Sequence, residues 1–407
     1  MGENRNAAAQ YDAELKKLIS DLQNCGSKSE LTQLEQQFRG IQTQVKATES
    51  VSMGFFGNLK NGIKDALTNM LKYQLAYEII QKTVDAVKAM TQAVSDLDKN
   101  LTEFNKVADL SSEQLSSFAD KAYDAADKIG RTGTDMIEAA TEFKRAGYDL
   151  NDSLEMGDAA LVMTNVADGV TQTSDAASTL ISVLNGFNIN ESDVMSIVDK
   201  MNSVSNQSPV GFDDLANGLE RVSGTMNQAG NSIDETIGLL TGGFTQLRNM
   251  EKVSTGLTTI SQRLRAIGDN GEEIDGLSAK LGSAFGSIGV AIEDANGNLR
   301  STYDILSDYA KVYPELTSEQ RQYFGELAAG KHQITVFNAI VDEMTAVDKA
   351  INQSQDSLNS AVNENEIYRQ SVEGLKNEFQ NQFQSLSKEV ISSQWLKDLI
   401  SAGTDFL

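Results

Sequence analysis

From Asp109 to Gly268 apolar residues recur at three- and four-residue intervals, the spacing of helices that bury one face. Ala177, Leu180, Leu184 and Phe187 share one such face; Val194, Ile197, Met201 and Val204 share another, and Leu215, Leu219, Val222 and Met226 a third. Three glycines punctuate the stretch, each followed by a similar phrase: Gly147-Tyr-Asp-Leu150-Asn151-Asp152-Ser153, Gly186-Phe-Asn-Ile189-Asn190-Glu191-Ser192 and Gly230-Asn-Ser-Ile233-Asp234-Glu235-Thr236. They lie 39 and 44 residues apart, close to the period of two-helix repeats. In each phrase the glycine is placed to end a helix in the left-handed conformation, and the polar residues to receive the free amides of the next helix. Ser111-x-x-Gln114 and Ser232-x-x-Glu235 have the capping-box form. Weaker helix starts fall at Thr134, Thr173 and near Phe212, so the pattern predicts at least six short helices with boundaries at the three glycines. True structural repetition and an irregular bundle with coincident caps both fit this pattern.

The flanks read differently. Residues 10–50 carry two helical stripes, Leu15, Leu18 and Leu22, then Leu31, Leu34, Phe38, Ile41 and Val45, interrupted at Cys25-Gly26-Ser27, as in a helical hairpin or coiled coil. A hinge is expected over Ser50 to Gly57, where Phe55-Phe56 suits packing on a neighbouring helix better than touching a membrane or partner. Leu59 to Ala108 reads as one helix with Ile63, Leu67, Met70, Tyr73, Tyr77, Ile80, Val84, Val87, Val94, Leu101 and Phe104 near heptad spacing. Such a stripe calls for a partner helix or a second copy, although Met90 and Leu97 widen it enough to dock on the following domain.

After the array, a helix over Val253 to Ile267 and a turn at Gly268–Gly271 precede a strand signal. Val290-Ala-Ile292-Glu-Asp294 and Asn298-Leu-Arg300 flank an Asn296-Gly297 turn, which predicts a small β-hairpin near 290–300. Helices follow at Tyr303–Val312, Ser318–Ala329 and His332–Ile351. A last amphipathic helix is expected over Ser357 to Leu399, with Val372, Leu375, Phe379, Leu386 and Val390 on one face.

The expectation is an all-α, elongated chain, with long amphipathic or coiled-coil helices flanking an array of short ones. Its segments would be 1–57 (hairpin or coiled coil), 58–108 (long helix), 109–270 (array), 271–350 (β-hairpin plus helices) and 351–407 (amphipathic helix).

Composition narrows the function. Two prolines suit uninterrupted helices, and 6% aromatic residues predict one modest core, with the rest paired as helices. A net charge of −24 opposes a surface that tracks phosphates and would repel passing DNA. Cys25 is the sole cysteine, so no internal disulfide framework exists. Met1 to Gln10 is polar, unlike a signal peptide, and no apolar run is long enough to span a membrane.

Chemistry is sparse. His332 is the sole histidine and has no Gly-x-Ser-x-Gly beside it; with Cys25 it cannot supply a zinc ligand set. Asp294-Ala-Asn296-Gly297-Asn298 puts glycine fourth, where a calcium loop needs it sixth. Gly282-x-x-x-Gly286-x-x-Gly289 lacks dinucleotide spacing. No catalytic, cofactor-binding or metal-binding residue is assigned, and no cofactor is expected.

The order of segments does resemble a known family. Asp109-Leu110-Ser111-Ser112-Glu113-Gln114-Leu115 leads into the array. Ser254-Thr255-Gly256-Leu257-x-x-Ile260-x-x-Arg263-Leu264 and Gly289-Val290 follow, then Leu327-Ala328-Ala329-Gly330-Lys331-His332-Gln333 before Phe337 and Ile340. Over roughly residues 55–400 this is similar to the core of tailed-phage and prophage tape measure proteins, which are minor tail proteins. The resemblance implies an elongated helical protein, without enzymatic activity, that occupies the tail lumen and sets tail length as the tube polymerises. It implies association with the tail tube protein, tail assembly chaperones and distal tail or baseplate hub proteins. It also implies assembly in the host cytoplasm, residence in the virion tail, and a part in delivering DNA or the protein itself to the host envelope; the long-helix stripe adds the expectation of self-association. Members are longer, often with central hydrophobic segments and sometimes a wall-degrading domain, so this chain reads as an N-terminal portion. The competing readings are a helical-repeat adaptor with a binding groove and, further off, an enzyme with an unfamiliar carboxylate site.

Overall fold

A computed structural model describes residues 95–268, 271–377, 380 and 381. The stripes of residues 10–50, the Phe55-Phe56 hinge, Cys25 and most of the expected helix 59–108 lie outside the described residues. The last turns of that helix, 95–108, are helical. Leu97 and Phe104 are buried there, and the Phe104 ring stacks on Phe118 with centroids 3.9 Å apart. The end of the apolar stripe is therefore covered by its own chain.

Thirteen helices of eight or more residues follow among the described residues. The array holds α1 (Ser112–Ile129), α2 (Gly133–Arg145), α3 (Leu150–Val166), α4 (Thr173–Phe187), α5 (Val194–Ser205), α6 (Phe212–Gln228), α7 (Ile233–Leu247) and α8 (Met250–Leu264). Beyond it lie α9 (Leu277–Ser287), α10 (Thr302–Val312), α11 (Ser318–Asp342), α12 (Met344–Gln355) and α13 (Ser360–Arg369). The faces read from sequence are the buried ones: Ala177, Leu180 and Leu184 on α4, Val194, Ile197, Met201 and Val204 on α5, and Leu215, Leu219, Val222 and Met226 on α6.

Five corners share one three-residue plan: a left-handed residue, a spacer, then the cap of the next helix. They are Asp109-Leu-Ser111, Gly130-Arg-Thr132, Gly147-Tyr-Asp149, Asn188-Ile-Asn190 and Gly230-Asn-Ser232. In the last four, the spacer amide donates to the carbonyl five residues back, as in Tyr148 to Phe143 (3.2 Å) and Asn231 to Met226 (2.9 Å). This satisfies carbonyls that the ending helix leaves without partners. At the first corner the Asn105 side-chain oxygen takes the Leu110 amide instead (2.7 Å). Both capping boxes are present, with two more at Thr132/Asp135 and Thr317/Gln320.

Gly147 (φ 102°) and Gly230 (φ 75°) end their helices as expected. Gly186 does not. It lies inside α4, and the left-handed residue of that corner is Asn188. A Cβ at Gly186 would stand 2.3 Å from the Ser223 Cβ and 3.0 Å from the Gly224 amide nitrogen. Its lack of a side chain lets α4 and α6 approach, so the second phrase is shifted two residues from the others. The same device recurs where α7 meets α12: at Gly238 and Gly242 a Cβ would collide with Ile351 and Val347.

Helices α2, α3 and α4 pack on one another, α6 lies against both α4 and α8, α8 against α11, and α7 against α12. One continuous apolar cluster runs from Leu97 to Ala361 through all of them. Residues 96–385 thus form one compact unit, across the expected boundaries at 108, 270 and 350. The elongated arrangement does not describe this part of the chain, because α12 returns onto α7 and closes the bundle.

The described residues are all-α, and several expectations need correction. The hairpin near 290–300 is reduced to one antiparallel bridge, Glu293 to Leu299, and no strand forms among the described residues. Its arms are too short for a ladder, since Gly289 (φ 79°) and the Ser301 helix cap bound it closely. A helix absent from the sequence reading, α9, occupies the Gly282–Gly286 stretch; Leu277, Leu281 and Phe285 at four-residue spacing bury its inner face. The helix expected over His332–Ile351 is divided at Glu343, whereas the break between Ala329 and His332 is real: α11 bends at Gly330 (φ 66°). The expected long C-terminal helix is also interrupted, at Gln370 and Ser371, and no coiled coil is seen among the described residues.

Candidate functional site

The residues weighed for catalysis or binding do not converge. His332 is exposed on α11. Asp294 accepts the amides of Asn296 (2.8 Å) and Asn298 (2.9 Å) and the Asn298 side chain, which hold its carboxyl below its ordinary pKa; the loop closes on itself. Gly282 and Gly286 sit on the exposed side of α9. Among the described residues no three of His, Cys, Asp and Glu come together as a metal-ligand group.

An open depression of about 470 Å³ lies between α5 and α12, lined by Ser203, Gln207, Asp348, Lys349, Gln353 and Asp356 among others. An active-site carboxylate would be expected in a cleft with its pKa displaced. Burial does raise Asp158 (to about 6), Glu138, Asp199, Asp214 and Glu235, yet none of these lines the depression.

Instead, the polar residues are used to join helices. Lys200 on α5 pairs with Asp234 at the start of α7 (2.6 Å), and the Ser354 hydroxyl of α12 donates to the same Asp234 oxygen. Ser203 donates to the Gln353 carbonyl at 2.9 Å. With Lys200 and Asp234 both largely covered, this node is a clamp among three helices.

The most unusual arrangement is the segment 357–381, which packs polar side inward. Of α13, only Ala361 and Asn365 are buried. Its cap residue, Asn359, is left-handed and makes no side-chain cap of its own. Asp199, on α5, takes over: it accepts the amides of Asn359 (3.0 Å) and Ala361 (2.8 Å). Burial raises the Asp199 carboxyl, and these amide bonds oppose the rise. From the same face of α5, Asn202 donates to Ser360 (3.0 Å) and Glu364 (2.9 Å), and Asn206 donates to Glu364 (2.6 Å). Asn365 accepts from Asn165 of α3 (2.7 Å) and donates to the Ile129 carbonyl closing α1 (3.3 Å).

The turn of helix after α13 repeats the pattern. Gly374, Asn377 and Asn381 face inward, three and four residues apart. Asn381 accepts the Gly133 amide (2.7 Å) and donates to Tyr123 and Asp127; Asn377 donates to the Tyr368 hydroxyl (2.9 Å). Buried amides cost stability unless hydrogen-bonded, and here they are.

The apolar residues of this segment point the other way. Leu358 is 83% exposed, Val362 37%, Ile367 72%, Val372 84% and Leu375 56%. These are five of the seven large apolar side chains exposed among the described residues, so the exposure is concentrated rather than scattered. Burying such a side chain is worth about 1.5–3 kcal/mol, a gain that this surface leaves unused. The sequence pattern had marked Val372 and Leu375 as a helix face; it had not shown that the face turns outward. The signal was present in Asn365 and Asn381, whose inward faces are readable only once α1, α2 and α3 are placed against them.

Three comparisons with known proteins bear on this architecture. A family model described as "Phage-related minor tail protein" matches residues 119–330, just over half of the chain, from within α1 to the bend of α11. A curated relative, the "Probable tape measure protein" of Escherichia phage P2, is 21% identical over 305 residues. That match covers 73% of this chain and 36% of the relative, so the chain spans about a third of the relative's length. No solved structure matches.

Proposed function

Because this chain belongs to the family of phage-related minor tail proteins, we propose that it is a tail tape measure protein that occupies the tail lumen and sets tail length during tube assembly. The observation that carries the reading is the family match across the helical array, joined by a relative named as a probable tape measure protein. A net charge of −24 suits a protein that shares a lumen with DNA without binding it. Among the described residues no helix is long and apolar enough to cross a membrane. The protein resides in the virion tail after assembly in the host cytoplasm. Its partners are the tail tube protein, the assembly chaperones and the distal tail or hub proteins, with self-association through the long helices. It carries no enzymatic activity.

Residues 96–385 are not the measuring element. A compact unit of that size has a radius of gyration of about 19 Å, whereas the same residues as one helix would reach roughly 440 Å. We assign the unit to anchoring, and length to helical spacer outside it.

Removing about 42 residues of helical spacer outside 96–385 in the full-length product is expected to shorten tails by about 60 Å in electron micrographs. Removing α4 to α6 is expected to abolish assembly without rescaling it. Unchanged tail length after a tolerated spacer deletion overturns the ruler reading. A helical-repeat adaptor would then be favoured, although the displaced Gly186 phrase and the closure of α12 on α7 count against a regular repeat.

A further inference from the structure

We propose that the outward face of 358–375, centred on Ile367, Val372 and Leu375, docks an amphipathic helix of another protein whose apolar stripe is rimmed by lysine or arginine. The segment is held to the body by hydrogen bonds that Asp199 accepts and that Asn202, Asn206, Asn165 and the Gly133 amide donate, and does not use its apolar side chains for that purpose. Those side chains are thus left free for a second surface.

The pattern identifies the shape of the occupant. Val372 and Leu375 lie three residues apart on one exposed helix face, of the kind that a partner helix fills. Charge identifies its rim. Between Asp356 and Asn377 the carboxylates Asp356, Glu364, Glu366 and Glu373 outnumber the cations Arg369 and Lys376, which are paired with Glu366 (3.1 Å) and Glu373 (3.3 Å), so the segment is net negative. A second copy seated here would bring the same acid-rich face against itself, whereas a cationic helix is attracted by it.

The test uses the full chain and two synthetic helical peptides about three heptads long, with leucine at the a and d positions. One carries lysine and the other glutamate at the flanking e and g positions. Binding is followed by fluorescence anisotropy. The lysine-rimmed peptide is expected to bind at least about ten-fold more tightly than the glutamate-rimmed one, and less tightly as salt rises. The double variant Ile367→Glu with Val372→Glu is expected to weaken it by at least about ten-fold. Because both side chains are exposed, helical circular dichroism should be unchanged; Val372→Ser with Leu375→Ser serves if it is not. Equal binding by parent and variant, equal binding of the two peptides, or no binding of either overturns the proposal. So does a dimer in sedimentation that the variant abolishes, which would assign the face to a second copy. Tail length does not enter this assay, so its failure leaves the ruler reading standing, and the converse holds.

Discussion

Asp199 caps a helix 162 residues away in the chain: its Oδ1 accepts the Ala361 amide at 2.8 Å, and its Oδ2 that of Asn359 at 3.0 Å. A helix usually supplies its own cap from the residue before its first turn. In α13 that residue, Asn359, is left-handed and supplies none, so docking on α5 and starting the helix are one event.

Asp199→Ala should therefore release 357–381 while leaving the array folded. The expected cost is roughly 1–3 kcal/mol, with amide exchange accelerated at Ala361 and its neighbours and unchanged in α6. Asp199→Asn keeps an accepting oxygen and should lose less. Retained protection of the Ala361 amide in the alanine variant would refute the trans-cap.

Glycines inside helices of this chain should divide into two kinds. Gly186→Ala drives a methyl into Ser223 and the Gly224 backbone and should cost about 1–3 kcal/mol. Gly282→Ala and Gly286→Ala meet nothing within 4 Å on α9 and should each add about 0.5–1 kcal/mol from helix propensity. Urea unfolding of the three variants checks the contrast. A neutral Gly186→Ala would mean that α4 and α6 do not meet there.

Asp158, on α3, supplies a pH signature. Burial, opposed by Lys128 and assisted by Glu155, lifts its carboxyl from 3.8 to about 6, and its Oδ1 has no hydrogen-bond partner. Between those values the folded chain keeps a proton that the unfolded chain has lost. Stability from this group is thus greatest in acid, falls as pH rises through the window from about 4 to about 6, and is level above it. Asp158→Asn should remove that part of the slope and be more stable than the parent at pH 7 by roughly 3 kcal/mol, with little gain near pH 4. A difference between the two proteins that is the same at both pH values would exclude Asp158 as its source.

Phe104 should anchor the end of the preceding helix. Its ring is fully buried against Phe118, so Phe104→Ala should cost about 3–5 kcal/mol and expose 95–108 to proteolysis. Cleavage there no faster than in the parent would place the anchor elsewhere.

Local physics decided much of this protein in advance. The apolar spacing of α4, α5 and α6, the capping boxes at Ser111 and Ser232 and the helix ends at Gly147 and Gly230 are set by residues within one or two turns of each other, so they are legible in one dimension. The family resemblance was legible for the same reason, as an order of such local phrases. What only the tertiary structure decided concerns pairs far apart in sequence. Gly186 looks like Gly147 until α6 lies on α4, when close approach, not turn formation, explains it. The Asn296-Gly297 turn forms locally, but its strands had nothing to pair with beyond one bridge. Val372 and Leu375 mark an amphipathic face whichever way it points. Its outward direction was set by the fit of Asn365 and Asn381 against α1, α2 and α3, because hydrogen-bond satisfaction of a buried amide depends on partners that only the assembled fold provides.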